Sequence, residues 1–315
     1  MKSWYVCLAA VVCVATLNAA PPAPRVDAHQ HLFSPAVAQL IGVKPILARD
    51  LIALLDTAHI EYAVVLSVAY IWGAPGRHFD DEYERVKAEN DWTSEQVGRY
   101  PDRLRGYCSV NPLKAYALTE LARCSRDPHL HYGLKLHFGN SVVDYHNAEH
   151  IARVREVFGA ANGYRMPMLV HMRASISQKL PYGRDEARIF LDQLLPAAPD
   201  VNVQIAHLAG TGDYADPPVD AALSVFVEAI ARNDPRTKRL YFDVTTSVPE
   251  HVPDDEAKLI AMRIRQLGVQ RILYGSDAAA GGNLPPKEGW GAFCQIPLTD
   301  REFTAIANSL APFSW

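Results

Sequence analysis

Long apolar runs are scarce in this sequence. Past residue 20 no segment approaches the roughly 20 apolar residues a membrane-crossing helix needs, so the body of the chain is expected to hold no span. Charge of one sign is lacking as well. Lys and Arg number 31 against 35 Asp and Glu, the net charge is −4, and no basic run occurs. That balance argues against a nucleic-acid partner. Cysteine is sparse. Cys7 and Cys13 fall in the N-terminal apolar stretch, which leaves Cys108, Cys124 and Cys294, an odd set without a Cys-x-x-Cys pair. No disulfide scaffold is expected from it. Internal repeats and low-complexity tracts are absent, and no Gly-rich phosphate turn follows the first strand pattern.

The N-terminus has the build of an export signal. Lys2 supplies a positive end, Trp4–Leu17 is uncharged, mostly apolar and short for a bilayer, and Asn18-Ala19-Ala20 offers small residues for cleavage. Residues 1–20 are therefore expected to be a signal peptide, with an uncleaved anchor as the rival. The mature chain, 21–315, is expected in the periplasm or outside the cell. Its length suits one large α/β barrel or two modest domains.

Short β-rich runs alternate with amphipathic ones. Strands are expected at 26–31, 61–68, 104–110, 132–138, 167–172, 201–207, 239–245 and 271–276. Helical patterns lie between them, at 49–58, 80–99, 115–124, 147–159, 185–195, 219–232 and 254–267. Eight mostly apolar strands separated by helices predict a single-domain (β/α)8 TIM barrel. A doubly wound open sheet is the alternative.

The first strand, Val26-Asp27-Ala28-His29-Gln30-His31, carries two imidazoles. Residues two apart on a strand share a face about 6–7 Å apart. Two such rings can meet one cation at about 2.0–2.1 Å per nitrogen. Spacing alone is weak, since the chain has 12 His and a second such pair, His129-Leu130-His131, which follows Asp127-Pro128 and is expected in a loop. Further strand ends strengthen the case. Lys135 and His137 share a face of strand four, with Leu134 and Leu136 on the other; Lys135, His137 and Arg173 are candidates to bind substrate or a second metal. His171 ends strand five, His207 ends strand six, Asp243 lies late on strand seven, and Asp277 follows strand eight. Barrel enzymes do their chemistry at these C-terminal ends. One buried His is usually a packed core residue, but matching chemistry on several strand ends points to a metal site.

With these residues in place, the chain resembles the amidohydrolase superfamily, in the amidohydrolase-related branch that also holds metal-dependent decarboxylases. The resemblance runs through Asp27-Ala28-His29-Gln30-His31, Tyr100-Pro101-Asp102-Arg103-Leu104 leading to Asn111-Pro112, Gly133-Leu134-Lys135-Leu136-His137, Leu169-Val170-His171, Ile205-Ala206-His207 and Arg271-Ile272-Leu273-Tyr274-Gly275-Ser276-Asp277. It implies His29, His31, His171 and Asp277 as metal ligands, with Asp277 also handling the proton of the attacking water. It implies His207 as the group that polarises substrate or acts as acid/base. Lys135 matches a lysine that is carboxylated and bridges two metals in some members. Ala278-Ala279-Ala280 departs from relatives that have a Pro after the Asp.

The implied activity is hydrolysis of an amide, lactone or ester bond of a small molecule by a metal-activated water. Zn²⁺ is the default metal, with Mn²⁺, Fe²⁺ or Co²⁺ open, at one per chain or two. A decarboxylase is the first alternative, with Lys135 or Arg173 as the cation that holds a substrate carboxylate. A non-catalytic metal-binding barrel is the second. Tyr70, Trp72, Tyr182 and Trp290 are candidate pocket walls, and the Gly/Pro-rich stretch Ala278–Pro297 is a candidate lid. Homo-oligomerisation is left open.

Overall fold

Each apolar run becomes a strand because both of its faces are covered: one by the barrel interior, the other by helices. The structure, a computed structural model, describes residues 21–212, 214–278 and 282–310; the expected signal peptide lies outside them. The strands are β1 (Val26–His31), β2 (Tyr62–Leu66), β3 (Leu104–Ser109), β4 (Leu134–His137), β5 (Met168–His171), β6 (Val203–Ile205), β7 (Leu240–Asp243) and β8 (Ile272–Leu273). They form one parallel sheet in sequential order. Leu134 and Leu136 face the sheet–helix core, while Val64, Leu66, Tyr107, Leu169 and Ala206 fill the interior. This is the barrel that the alternating pattern predicts, although most strands are shorter than their apolar runs. No helix among the described residues is long and apolar enough to cross a membrane.

Eleven helices accompany the strands among the described residues: α1 (Pro35–Ile41), α2 (Ala48–Ala58), α3 (Glu82–Gly98), α4 (Ala117–Cys124), α5 (Phe138–Ser141), α6 (Ala148–Gly163), α7 (Arg184–Ile189), α8 (Pro217–Ala231), α9 (Asp254–Leu267), α10 (Pro286–Phe293) and α11 (Asp300–Ala307). Seven match the expected ones. The short helices α1, α5, α10 and α11 are additions whose periodicity is too brief to stand out. Capping starts three of them: Ser34 accepts from the Val37 amide, His137 accepts from the Asn140 amide, and Thr299 with Glu302 forms a capping box.

The lid expectation fails over α10. Trp290 and Phe293 are buried, with ring contacts to Tyr274 and Phe303, so this part of Ala278–Pro297 is fixed core. Among the described residues the cysteines hold a single disulfide, which an odd set without a Cys-x-x-Cys pair does not announce. Cys108 and Cys124 form a disulfide that ties β3 to α4, while Cys294 is the odd thiol. A 16-residue separation carries no sequence motif, and only the packing of α4 on β3 brings the two together.

Barrel closure depends on β1 and the segment after β8. The Ala28 amide donates to Tyr274 O (2.8 Å), and the Asp277 amide donates to His29 O (2.9 Å). Gly275 permits this approach, since a Cβ there would lie 2.7 Å from His29 Cβ. Fully buried Asp27 latches the seam. Its Oδ2 accepts from Gln30 Nε2 and Ser276 Oγ, both 2.7 Å, and its Oδ1 accepts from the Ser276 amide (3.1 Å) and the His29 amide (3.2 Å). Between Asp27 and Gln30 the register with β2 slips by one residue, a bulge. The bulge lets Asp27 and Gln30 meet while His29 and His31 both face the cavity.

Burial pushes the Asp27 carboxyl up to about 6 against the hydrogen bonds that lower it. The folded state thus holds the Asp27 proton more tightly than the unfolded chain does. This contribution is present below about pH 4 and is lost as pH rises through 6. Asp27→Ala leaves buried donors unpaired and should cost about 2–3 kcal/mol in urea unfolding. The wild-type-minus-variant difference should shrink as pH rises from 4 to 6. An unchanged difference would refute the assignment.

Candidate metal site

Imidazole can ligate a metal only through a nitrogen lone pair, so the hydrogen bond made by the other nitrogen decides which atom is available. His29 Nδ1 faces Asp243 Oδ2 at 3.2 Å, His31 Nδ1 faces Leu66 O at 2.7 Å, and His207 Nδ1 faces Thr245 O at 2.9 Å. All three acceptors require Nδ1–H on a neutral ring. The lone pair of each ring therefore sits on Nε2. Ligand atoms of His29, His207 and Asp277 lie within 4.8 Å of one another. His31 Nε2 stands 3.8 Å from Asp277 Oδ1, an atom that is buried and without a hydrogen bond. These groups and His171 line one cavity of 180 Å³ with Phe33, Val68, Tyr70, Ile71, Lys135, His137 and Thr211.

The backbone at the site is forced. His207, Leu208 and Ala209 have φ of 53°, 48° and 71°, and Asp277 has 50°. Left-handed backbone costs an L-residue roughly 1–2 kcal/mol. Asp243 Oδ1 offsets part of this by accepting from the His207 amide (2.8 Å) and the Thr245 amide (3.2 Å). Asn283 Nδ2 donates to Asp277 O (2.8 Å). Strain at these two residues, held by their surroundings, is typical of functional positions.

Electrostatics keep the imidazoles neutral. Burial, then the Lys135 ammonium, lowers His29 to about 3 against the pull of Asp243, and holds His31 well below the usual histidine range. Burial and then neighbouring His137 do the same for His171. His207 is lowered by burial against Asp243. Burial alone would raise Asp243, but the His29 and His207 rings and their hydrogen bonds hold it below the carboxylate range. Asp277 goes the other way: burial pushes it up to about 7 against Lys135. Lys135 is 1 % exposed, lowered by burial, and its Nζ lies 3.3 Å from His29 Nε2. It makes no direct bond to Asp243, which the His29 ring separates from it.

Other expected residues fall elsewhere. Arg173 is turned away, with Nη2 3.1 Å from Asp216 Oδ2 and its guanidinium 4.5 Å over the Tyr182 ring; it does not line the cavity. Tyr182 donates to Ala209 O, Trp72 packs with Phe79 beneath Arg85, and Trp290 belongs to the core. Of the four aromatics only Tyr70 is a wall. His129 and His131 are tied to Asp127, and neither lines the cavity. The supporting groups Asp27, Gln204, Thr245 and Ser276 were missed. For Asp27 and Gln204 the sequence signal is a polar residue inside a buried strand, as in Val203-Gln204-Ile205; Thr245 and Ser276 follow their strands and carry none.

The structure is a parallel eight-stranded barrel with a histidine-rich, carboxylate-bearing pocket at its C-terminal strand ends, and the donor set of that pocket suits a divalent metal. Neither a protein-family model nor a curated protein matches the chain. Solved structures do share its fold. A putative amidohydrolase from Staphylococcus aureus is 14% identical with a TM-score of 0.61, covering 90% of this chain and 97% of that one. A probable 2-pyrone-4,6-dicarboxylic acid hydrolase from Acinetobacter baumannii, with citric acid bound, is 18% identical at 0.58, covering 89% and 95%. A dihydroxybenzoic acid decarboxylase from Polaromonas sp., with manganese and the inhibitor 2-nitroresorcinol, is 16% identical at 0.60, covering 90% and 94%. The chain thus has the barrel of amidohydrolases and their decarboxylase relatives.

With its imidazoles neutral, the proton a metal must displace near pH 7 is that of Asp277. At pH 6 binding of Zn²⁺ should release about one proton, and binding should strengthen as pH rises through 7. Calorimetry in buffers of different ionisation enthalpy reads this directly. Binding without proton release at pH 6 would contradict it. His29→Ala/His31→Ala should abolish tight binding, whereas His129→Ala/His131→Ala should leave metal content unchanged.

Proposed function

We propose that this chain is an exported metal-dependent hydrolase that acts on an amide, lactone or ester bond of a small molecule. The observation that carries the reading is the approach of the His29 and Asp277 ligand atoms, with His31 Nε2 3.8 Å from Asp277 Oδ1, His171 on the same cavity wall and His207 beside them as the acid/base candidate. His29, His31, His171 and Asp277 would hold one divalent ion, by default Zn²⁺. The ion, when bound, supplies Lewis acidity and brings water ionisation near neutral pH.

The chain's own groups do the rest. Asp277 takes the proton of the attacking water and passes it to the leaving group. His207 Nε2 can bind a water or a substrate proton, and its left-handed backbone holds the ring against the metal ligands. The Lys135 ammonium opposes negative charge developing on the carbonyl oxygen. Lys135 stays cationic beside a single ion. The substrate's carboxylate or carbonyl would lie between them, and the Nζ, 3.3 Å from His29 Nε2 in the structure, would turn from that nitrogen to the substrate oxygen.

Lys135 also favours a second reading, decarboxylation, in which a buried ammonium holds a substrate carboxylate. The several decarboxylases among the solved structures that share this fold are consistent with it. Metal-loaded protein should be screened on lactones, amides and aromatic acids, reading hydrolysis and CO₂ together. Water incorporated into product supports hydrolysis. Stoichiometric CO₂ without it reverses the assignment. His207→Asn should lower turnover at least about 100-fold while metal content holds. Metal analysis should return about one ion per chain, retained in Lys135→Ala.

Export is supported by the Cys108–Cys124 disulfide, since such bonds persist in oxidising compartments. Alkylation before and after reduction should find one free thiol, then three. Reduction should cost about 3 kcal/mol of stability. Three free thiols in the untreated protein would remove this support.

A further inference from the structure

We propose that His137 is a hydrogen-bond donor to the substrate, locked in that role by the helical turn it caps, and not a metal ligand. The inference rests on the reading of the cavity as a catalytic site. It starts from an asymmetry among the rings. His29, His31 and His207 spend their Nδ1 on acceptors. His137 Nδ1 instead accepts, from the Asn140 amide at 3.1 Å, as the cap of α5. A ring that accepts at Nδ1 must carry its proton on Nε2. That nitrogen has no lone pair to offer an ion.

The surroundings fix the ring in place. His137 pairs directly with His171 across β4 and β5, and the two rings stack at 3.9 Å and 17°. Tyr70 flanks it at 5.1 Å. A Cβ on Gly139 would come 3.3 Å from His137 Cε1, so the α5 backbone abuts the Nδ1 edge. The opposite edge carries Nε2. His137 lines the cavity, and no hydrogen bond among the described residues uses that nitrogen.

Lys135 lies two residues earlier on the same face and can only donate. Strand β4 therefore presents two donors, an N–H and an ammonium, opposite the lone pairs of β1 and β6. Two donors side by side match an oxygen acceptor. The class of group recognised is a carboxylate or carbonyl oxygen of the substrate, with an ammonium favouring the anionic form.

The test begins with the tautomer. Long-range ¹H–¹⁵N correlation on zinc-loaded and metal-free protein should find Nε2–H at His137 and Nδ1–H at His29, His31 and His207. Nδ1–H at His137 would overturn the proposal. Titration of zinc-loaded protein with benzoate and benzamide, an anionic and a neutral acceptor, should give a saturable change at the His137 Nε2–H signal, tighter for benzoate. No saturable change with either probe would also overturn it.

His137→Asn keeps a capping oxygen for Asn140 but not the outer donor. It should keep its melting temperature and zinc content while weakening benzoate roughly tenfold, about one hydrogen bond. His137→Gln, which reaches further with an amide donor, should recover part of that loss. Zinc loss in His137→Asn would make His137 a ligand and refute the proposal. Wild-type protein that takes up no zinc would instead refute the metal-dependent function, with the tautomer still measurable.

Discussion

The carboxylate of Asp243 is the constraint on which the site depends. It touches no cavity surface, yet four donors converge on it. Oδ2 accepts from Gln204 Nε2 at 2.7 Å and faces His29 Nδ1; Oδ1 accepts from the His207 and Thr245 amides. One buried acid thereby sets the His29 tautomer, stabilises the left-handed turn at His207 and joins β6 to β7. A carboxylate accepting several such bonds stays ionised even when fully buried. Its negative charge then makes a His29 N–H toward it, and a lone pair toward the cavity, the favoured arrangement.

The cavity is crowded with groups that cannot all be charged. Five imidazoles, an ammonium and a carboxyl share 180 Å³ of walled space. Burial resolves the crowding by discharging the histidines and by drawing the Lys135 and Asp277 shifts toward one another. The result is a set of neutral donors with one acid ready to lose its proton to a cation. Such a site is poised for an ion because its alternative, a ring of protonated imidazoles, is electrostatically worse.

Closure and chemistry use the same seam. The hydrogen bond from the Asp277 amide to His29 O brings the last strand's acid beside the first strand's imidazoles. Asp27, Gln30 and Ser276 hold that seam from behind. A barrel left open between β8 and β1 would keep its core yet lose the alignment of Asp277 with His31.

The sequence by itself determined the barrel and the strand-end chemistry. Strand and helix periods are local properties, and a polar group ending an apolar run is visible as text, so His29, His31, Lys135, His137, His171, His207 and Asp277 were all legible. Residue spacing also placed Lys135 inward and Leu134 and Leu136 outward, because side chains alternate along a strand. What only the tertiary structure decided depends on contacts between distant segments. Arg173 was drawn away by Asp216, 43 residues on. Trp290 became core because α10 packs beside Phe303. Cys108 and Cys124 met because α4 folds over β3. The bulge in β1 arose from its register with β2. The proton positions of the rings, which separate ligand from donor, follow from acceptors as remote as Leu66 O and Thr245 O. A neutral imidazole takes its tautomer from the partner it meets, and no sequence period encodes that partner.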